Sequence, residues 1–247
     1  MSTIAIFSDV HGNLPALHAV LQDIDNKDID QVYCLGDLVD FAPWPNEVID
    51  LLKAERIPCL MGNHDERIAF NHPVIPLKKH SMEESIARAG AIGHTRKTIK
   101  PANLDYLAGL PQQIELTPNL RGREVRLLLV HASTRSNDEY VYEDHDQQDI
   151  EEMLNSKNAD ILVMGHTHES YIRTIPASEQ RSEKLVINCG SVGRSKEKDP
   201  KATYLLLTID EHRISPEIIR LDYPVERTAD AIRESGIPDF YAEFLLR

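Results

Sequence analysis

Ile4-Ala5-Ile6-Phe7-Ser8-Asp9-Val10-His11-Gly12-Asn13 decides how this chain is to be read. A short β-rich apolar run ends in an acid, an imidazole, a glycine and a helix cap. The run is too short for a helix and suits a buried strand. Asn13 is a good N-cap with Pro15 in the first turn behind it, and Leu17, Val20, Leu21 and Ile24 then share one face at helical spacing. The same order recurs downstream. Apolar runs at Ile4–Ser8, Gln31–Leu35, Ile57–Met61, Val125–Val130, Asp160–Met164, Leu185–Asn188 and Thr203–Ile209 read as strands, the last turning through Asp210-Glu211-His212 into Arg213–Arg220.

Helices are expected over Asn46–Glu55, from the capping box Ser81-Met82-Glu83-Glu84 to about Thr98, around Ala102–Ala108, and as two short pieces split at Pro238. Strands alternating with helices predict an α/β fold with a largely parallel sheet, whose ligands sit beyond the carboxyl ends of the strands. The chain reads as a single domain over 1–247. Its 66–120 stretch reads as a helical insertion near the site, with a lid and ordinary packing helices both open.

Composition sets limits. With 41% hydrophobic and 27% charged residues, the 247-residue chain has the balance of a soluble globular protein. No apolar run is long enough for a membrane helix, so no membrane partner is expected. Met1–Phe7 lacks a basic n-region, so no signal peptide is expected. Cys34, Cys59 and Cys189 lack CxxC spacing and read as reduced core residues of a cytoplasmic protein. A net charge of −13 argues against a duplex nucleic-acid binder. It leaves a small phosphorylated substrate open if bound cations reverse the local field. Oligomeric state is not set by any of these features.

The strand ends carry the chemistry. They read Ser8-Asp9-Val10-His11-Gly12-Asn13, Gly36-Asp37-Leu38-Val39-Asp40, Gly62-Asn63-His64-Asp65, His131, and Gly165-His166-Thr167-His168. Carboxylate, imidazole and amide oxygens suit borderline first-row ions, and no thiolate is involved. Seven such side chains exceed one tetrahedral site and suit two metals sharing a carboxylate. Singly, each motif is an ordinary turn or cap. Together and in order, they are costly to assemble without metal.

The series Asp9-x-His11, Gly36-Asp37-x-x-Asp40, Gly62-Asn63-His64-Asp65, His131 and Gly165-His166-x-His168 resembles the calcineurin-like metallophosphoesterase superfamily. Asn188-Cys189-Gly190-Ser191-Val192-Gly193 with Asp199-Pro200-Lys201-Ala202-Thr203-Tyr204 resembles its small bacterial and archaeal phosphodiesterase branch, where Cys189 departs from the usual proline. The resemblance implies a four-layer αββα sandwich of two mixed β-sheets flanked by helices. It assigns Asp9, His11 and His168 to one divalent metal, and Asn63, His131 and His166 to a second, with Asp37 bridging. Manganese stands first, with iron and zinc open. His64 would protonate the leaving oxygen while a metal-activated water attacks, and Asp65 and Asp40 would orient His64 and the ligands.

Weaker expectations are Asn13 and Arg194 as substrate contacts, and a phosphate cradle of backbone N–H groups at Gly190–Gly193. Trp44 is either an aromatic wall or packing. His72, His80 and His94 could face the pocket. A phosphodiesterase is the leading reading. Its competitors are a protein or small-molecule phosphomonoesterase, including a dinucleotide polyphosphate hydrolase, and a non-catalytic scaffold on the same fold. Protein phosphatases of the superfamily follow the second motif with Asp-Arg-Gly, whereas Asp40 here precedes Phe41-Ala42.

Overall fold

The computed structural model describes residues 1–76, 80–177 and 182–247. In chain order its first elements are β1 (Ser2–Phe7), α1 (Leu14–Asp25), β2 (Gln31–Cys34), α2 (Pro45–Ala54), α3 (Asn63–Ala69), α4 (Met82–Thr98) and α5 (Pro101–Ala108). Then come β3 (Gln113–Leu116), β4 (Asn119–Leu120), β5 (Arg123–Glu124), β6 (Leu127–Val130), α6 (Gln147–Ser156) and β7 (Ile161–Met164). The chain closes with β8 (Tyr171–Ile175), β9 (Lys184–Asn188), β10 (Ala202–Ile209), β11 (Ile214–Leu221), α7 (Val225–Glu234) and α8 (Phe240–Leu245).

Two mixed sheets result, ordered β11-β10-β1-β2 and β3-β6-β7-β9-β8. Parallel pairing joins β6, β7 and β9 at the centre of the second sheet and β1 with the edge strand β2 in the first. Antiparallel strands flank them, so the expectation of a largely parallel sheet is corrected. Between the sheets lie Ile4, Ile6, Leu35, Leu127, Leu129, Val163, Ile187, Leu205 and Leu207. Beyond the first sheet, Leu17 and Val20 of α1 and Leu52 of α2 cover Ala5 and Phe7. Beyond the second, Ile150, Met153 and Leu154 of α6 cover Leu128, Leu162 and Val186. The layers are therefore helix, sheet, sheet, helix, and both faces of each central strand are buried, which is why those strands read as continuous apolar runs.

Local chemistry explains several elements. Asn13 Oδ1 accepts from Ala16 N at 3.2 Å to start α1. Asp146 does the same for α6, accepting from Asp149 N at 3.0 Å. The predicted Ile57–Met61 strand does not form. That segment runs beside β2 through an isolated Cys34–Cys59 bridge, since Pro58 has no N–H and Met61 turns away to bond Pro111 O at 2.8 Å. The predicted 66–120 insertion resolves into α3, α4 and α5 followed by the edge strand β3, and its residues 77–79 lie outside the described residues. Ala87 and Ala91 of this region, with Phe41 from the loop after β2, pack with Ala229, Ile232, Tyr241 and Leu245 of α7 and α8.

Candidate metal centre

The loops after β1, β2, β6 and β7 meet the first turn of α3 at one end of the sandwich. Backbone bonds lace them together: Asp9 N–H to Gly36 O (2.9 Å), His11 N–H to Asp37 O (2.9 Å) and Gly165 N–H to His131 O (2.8 Å). Lacing bends the chain into left-handed backbone at Asp9, His11, Asp37, Asp40, Phe41, His166 and His168, with φ between 50° and 71°. Non-glycine residues avoid that region, at about 1–3 kcal/mol each. The apolar layers outweigh this strain, since each fully buried aliphatic side chain contributes on the order of 1.5–3 kcal/mol. Strain concentrated on predicted ligands marks a functional cluster rather than a folding accident.

Tight approach explains two glycines. A Cβ on Gly62 would stand 2.1 Å from Asp37 Oδ1, and one on Gly165 would stand 2.6 Å from Asp9 Oδ2. These glycines make room for the carboxylates themselves, not for backbone approach to an ion.

The side chains converge in two groups, Asp9 with His11 and His168, and Asp37 with His131 and His166, each able to offer ligand atoms within 4.8 Å of one another. Each carboxylate has one oxygen tied to backbone and one turned inward. Asp9 Oδ2 accepts from His166 N at 2.8 Å, and Oδ1 lies 3.1 Å from His168 Nε2. Asp37 Oδ1 accepts from His64 N at 2.8 Å. Its Oδ2 lies between the groups, 3.7 Å from His11 Nε2 and 3.5 Å from His131 Nε2.

Three of the imidazoles are oriented alike. His11, His131 and His168 turn Nδ1 to the carbonyls of Val39 (2.9 Å), Leu35 (2.9 Å) and Arg194 (2.6 Å). A carbonyl only accepts, so Nδ1 carries the proton and Nε2 faces the cluster, the arrangement that backs metal-ligating histidines. His11 Nε2 and His168 Nε2 stand 3.1 Å apart. The inward end of the Asn63 amide lies 3.1 Å from His166 Nδ1, 3.2 Å from His131 Nε2 and 3.3 Å from Asp37 Oδ2. With its oxygen inward, acceptors face acceptors across both groups, and cations satisfy them. The residues present therefore fit two divalent ions.

Electrostatics agree. Burial lowers His11 and His166 to about 3 against the pull of Asp37 and Asp9, so both are neutral lone-pair donors at neutral pH. Burial works against Asp37, yet His131 and His64 hold it well below the usual carboxylate range. Burial also disfavours charge on His131, but Asp37 and Asp9 overcome it and raise the imidazole to about 9. Without metal, a proton on His131 supplies part of the missing positive charge.

His64 is buried beside this cluster, with Nδ1 2.6 Å from Asp40 Oδ2. Burial brings it down to about 4 against Asp37 and Asp40. Asp65 does not touch the His64 side chain. Its oxygens accept from the backbone N–H groups of Asp37 (2.7 Å), Leu38 (2.9 Å) and Gly62 (2.9 Å), so it splints the ligand loops, and Asp40 is the carboxylate bonded to the His64 ring. Burial and the nearby Asp37 push Asp65 up to about 8, against the Gly62 and Leu38 donors.

Asn13 is likewise corrected. It is fully buried, accepts from Ala16 N and Thr228 Oγ1 (2.9 Å), and donates to Gly193 O at 2.9 Å and to Tyr223 Oη at 3.4 Å, leaving nothing for substrate. The Gly190–Gly193 cradle is absent too. Gly190 N–H goes to Asn188 Oδ1, Ser191 N–H to Thr203 Oγ1, Val192 N–H to Ser8 O, and Gly193 N–H to Asp9 O. That segment buttresses the Asp9 loop instead.

A narrow cleft of roughly 60 Å³ opens on the cluster, lined by Asp37, Asn63, His64, His166 and His168 and by Arg194, the last a predicted contact. Phe41, Glu84, Arg88, Tyr140, Lys196 and Tyr241 complete its wall and were not singled out for it from sequence. The Glu84–Arg88 spacing, one turn apart on α4, was the readable signal. Of the three uncertain histidines, His80 lines this cleft and His72 a neighbouring one. Trp44 precedes α2 and lies outside the cleft wall, and Phe41 takes the aromatic position. A larger cleft, between β1 and β3 and lined by Ser2, Gln31, Glu115 and Asp210, has no metal-ligand cluster among the described residues.

A two-sheet sandwich with such a cluster at its strand ends defines the metal-dependent phosphoesterase class. Residues 2–212 match the calcineurin-like phosphoesterase superfamily domain, and the chain belongs to that superfamily of phosphoester hydrolases. It is 31% identical to an uncharacterized protein of Methanocaldococcus jannaschii, covering 99% of this chain and 97% of that one. Among solved structures, a metallophosphoesterase from Sphaerobacter thermophilus is 27% identical with a TM-score of 0.76, covering 99% and 98% of the two chains. A hypothetical protein from Pyrococcus horikoshii OT3, 21% identical over 99% and 98%, shares the fold with a TM-score of 0.81. Among the described residues no helix is long and apolar enough to cross a membrane.

Proposed function

We propose that this protein is a dinuclear-metal phosphodiesterase acting on a small phosphorylated substrate. The observation that carries the reading is the inward set of acceptors: His11, His131 and His168 each backed by a carbonyl, and Asp9 and Asp37 each tied by one oxygen only. Asp9, His11 and His168 would hold one ion, and Asn63, His131 and His166 the other, with Asp37 between them. Two divalent ions there, manganese first among manganese, iron and zinc, neutralise phosphate charge and lower the pKa of water so that hydroxide is available near neutral pH.

The chain's own residues do the rest. His64 is held by Asp40 at the cleft and donates a proton to the departing oxygen. The free site keeps His64 neutral at pH 7, because burial outweighs Asp37 and Asp40. An anionic phosphate beside it favours the imidazolium, so the proton arrives with substrate. Tyr140, Phe41 and Tyr241 form an aromatic mouth that suits an esterified phosphate carrying an apolar or ring-bearing arm. The phosphodiesterase branch resemblance around Asn188–Gly193 supports a diester.

Metal-stripped protein refilled with Mn²⁺ and assayed on a bis-aryl phosphodiester and an aryl monoester tests the proposal, with His64→Ala and Asp37→Asn alongside. Metal-dependent diester cleavage lost in both variants is expected. Monoester preference would overturn the diester assignment. Bound metal with no turnover on either ester would favour a scaffold.

A further inference from the structure

Arg194 is only 8% exposed, yet its side chain makes no hydrogen bond among the described residues, and Nε is buried without a partner. The nearest carboxylate, Glu84, is 3.9 Å from Nη2, beyond hydrogen-bond reach. A guanidinium has five donors in a fixed fork, and leaving a buried one such as Nε unmet is costly. What holds it is aromatic: its central carbon lies 4.6 Å from the Phe41 ring centre, 4.4 Å from Phe244 and 5.2 Å from Tyr241. Rings against the planar head fix its orientation while leaving its donor edge unsatisfied. Arg194 lines the metal-centre cleft, and its own carbonyl accepts from His168 Nδ1 at 2.6 Å.

The Phe41 ring packs on this arginine, which reaches the cleft from the loop after β9. We propose that Arg194 is the phosphate clamp of this site, aimed by an aromatic cage formed by Phe41 and the C-terminal helix α8. A guanidinium fork matches two non-bridging phosphate oxygens, and the contact takes up donors that the protein leaves unmet. The clamp rests on the phosphoesterase reading of the metal centre. It also makes α8, which lies beyond the matched segment 2–212, part of the active site.

The test is binding of inorganic phosphate to the Mn²⁺-loaded full chain by titration calorimetry, with metal content and thermal unfolding measured on every variant. Arg194→Gln should weaken phosphate binding on the order of 10- to 100-fold with both ions retained. Arg194→Lys keeps the charge but not the fork and should recover only part of the loss. Phe244→Ala, which leaves Arg194 in place, should weaken phosphate several-fold and decides the matter if Arg194→Gln does not fold. Wild-type affinity in Arg194→Gln, or in Phe244→Ala, overturns the clamp and leaves the metal centre's role standing. Failure of the loaded wild type to bind phosphate overturns the phosphoesterase reading and the clamp with it.

Discussion

Gly62→Ala isolates the packing that aims Asp37. Gly62 has φ −82° and ψ 171°, a conformation alanine adopts freely, so the backbone itself is not strained by the change. The new Cβ, however, would stand 2.1 Å from Asp37 Oδ1 and 2.3 Å from Asp37 N, about 1 Å inside the closest approach such atoms make. Asp37 Oδ1 is bonded to His64 N at 2.8 Å, so Asp37 and the first turn of α3 must move together. That carries Asp37 Oδ2 away from His11 and His131. Overpacking of this size costs about 1–3 kcal/mol of stability. Misdirecting a ligand costs roughly 10- to 100-fold in metal affinity. Chelator-competition affinities for Mn²⁺, with thermal unfolding alongside, measure both. Gly93→Ala on α4 is the control, since nothing lies within 4 Å of its Cβ. Gly62→Ala binding two ions as tightly as wild type would refute the claim that this contact positions Asp37.

Asp40→Asn removes the carboxylate 2.6 Å from His64 and should lower turnover roughly 100-fold with metal content unchanged; wild-type kcat would show that His64 does not need this carboxylate. In metal-free protein His131 is raised to about 9, above the ~6.5 of an unfolded histidine. Its proton therefore stabilises the metal-free fold below ~6.5, and that contribution is lost as pH rises through about 9. Mn²⁺ binding near neutral pH should then release close to one proton per chain, readable by indicator dye in weak buffer, and a pH-independent affinity would contradict this. Asn13→Ala removes the α1 cap and the bonds to Gly193 and Thr228, so stability should fall by about 1–3 kcal/mol with KM unchanged. A raised KM would return Asn13 to the substrate.

The ligand set was legible because its chemistry is local: each acid, amide or imidazole follows an apolar run or opens a helix. The central strands were legible for a related reason, since burial on both faces leaves an uninterrupted apolar run. The edge strands of the second sheet were not. Gln113–Leu116 and Tyr171–Ile175 mix polar with apolar residues and gain their order from a neighbouring strand. Ile57–Met61 misled because its apolar residues face the core while Pro58 withholds the donor a ladder needs. The α6 signal, Asp146 before Ile150, Met153 and Leu154, was present and passed over. The resemblance put both Asp65 and Asp40 behind His64; a helical turn aims adjacent side chains apart, so of the two it is Asp40 that bonds the His64 ring. Arg194 was named as a substrate contact, but its burial and its cage were not legible, because the cage comes from Phe41 and a distant helix.

The central claim is that two metal ions sit where these loops meet. Anomalous diffraction from Mn²⁺-loaded crystals, with metal counted per chain in solution, tests it most directly. The account predicts two peaks, one within Asp9, His11 and His168, the other within Asn63, His131 and His166, with Asp37 between them. A single peak outside these residues, or no metal retained by folded protein, would contradict it.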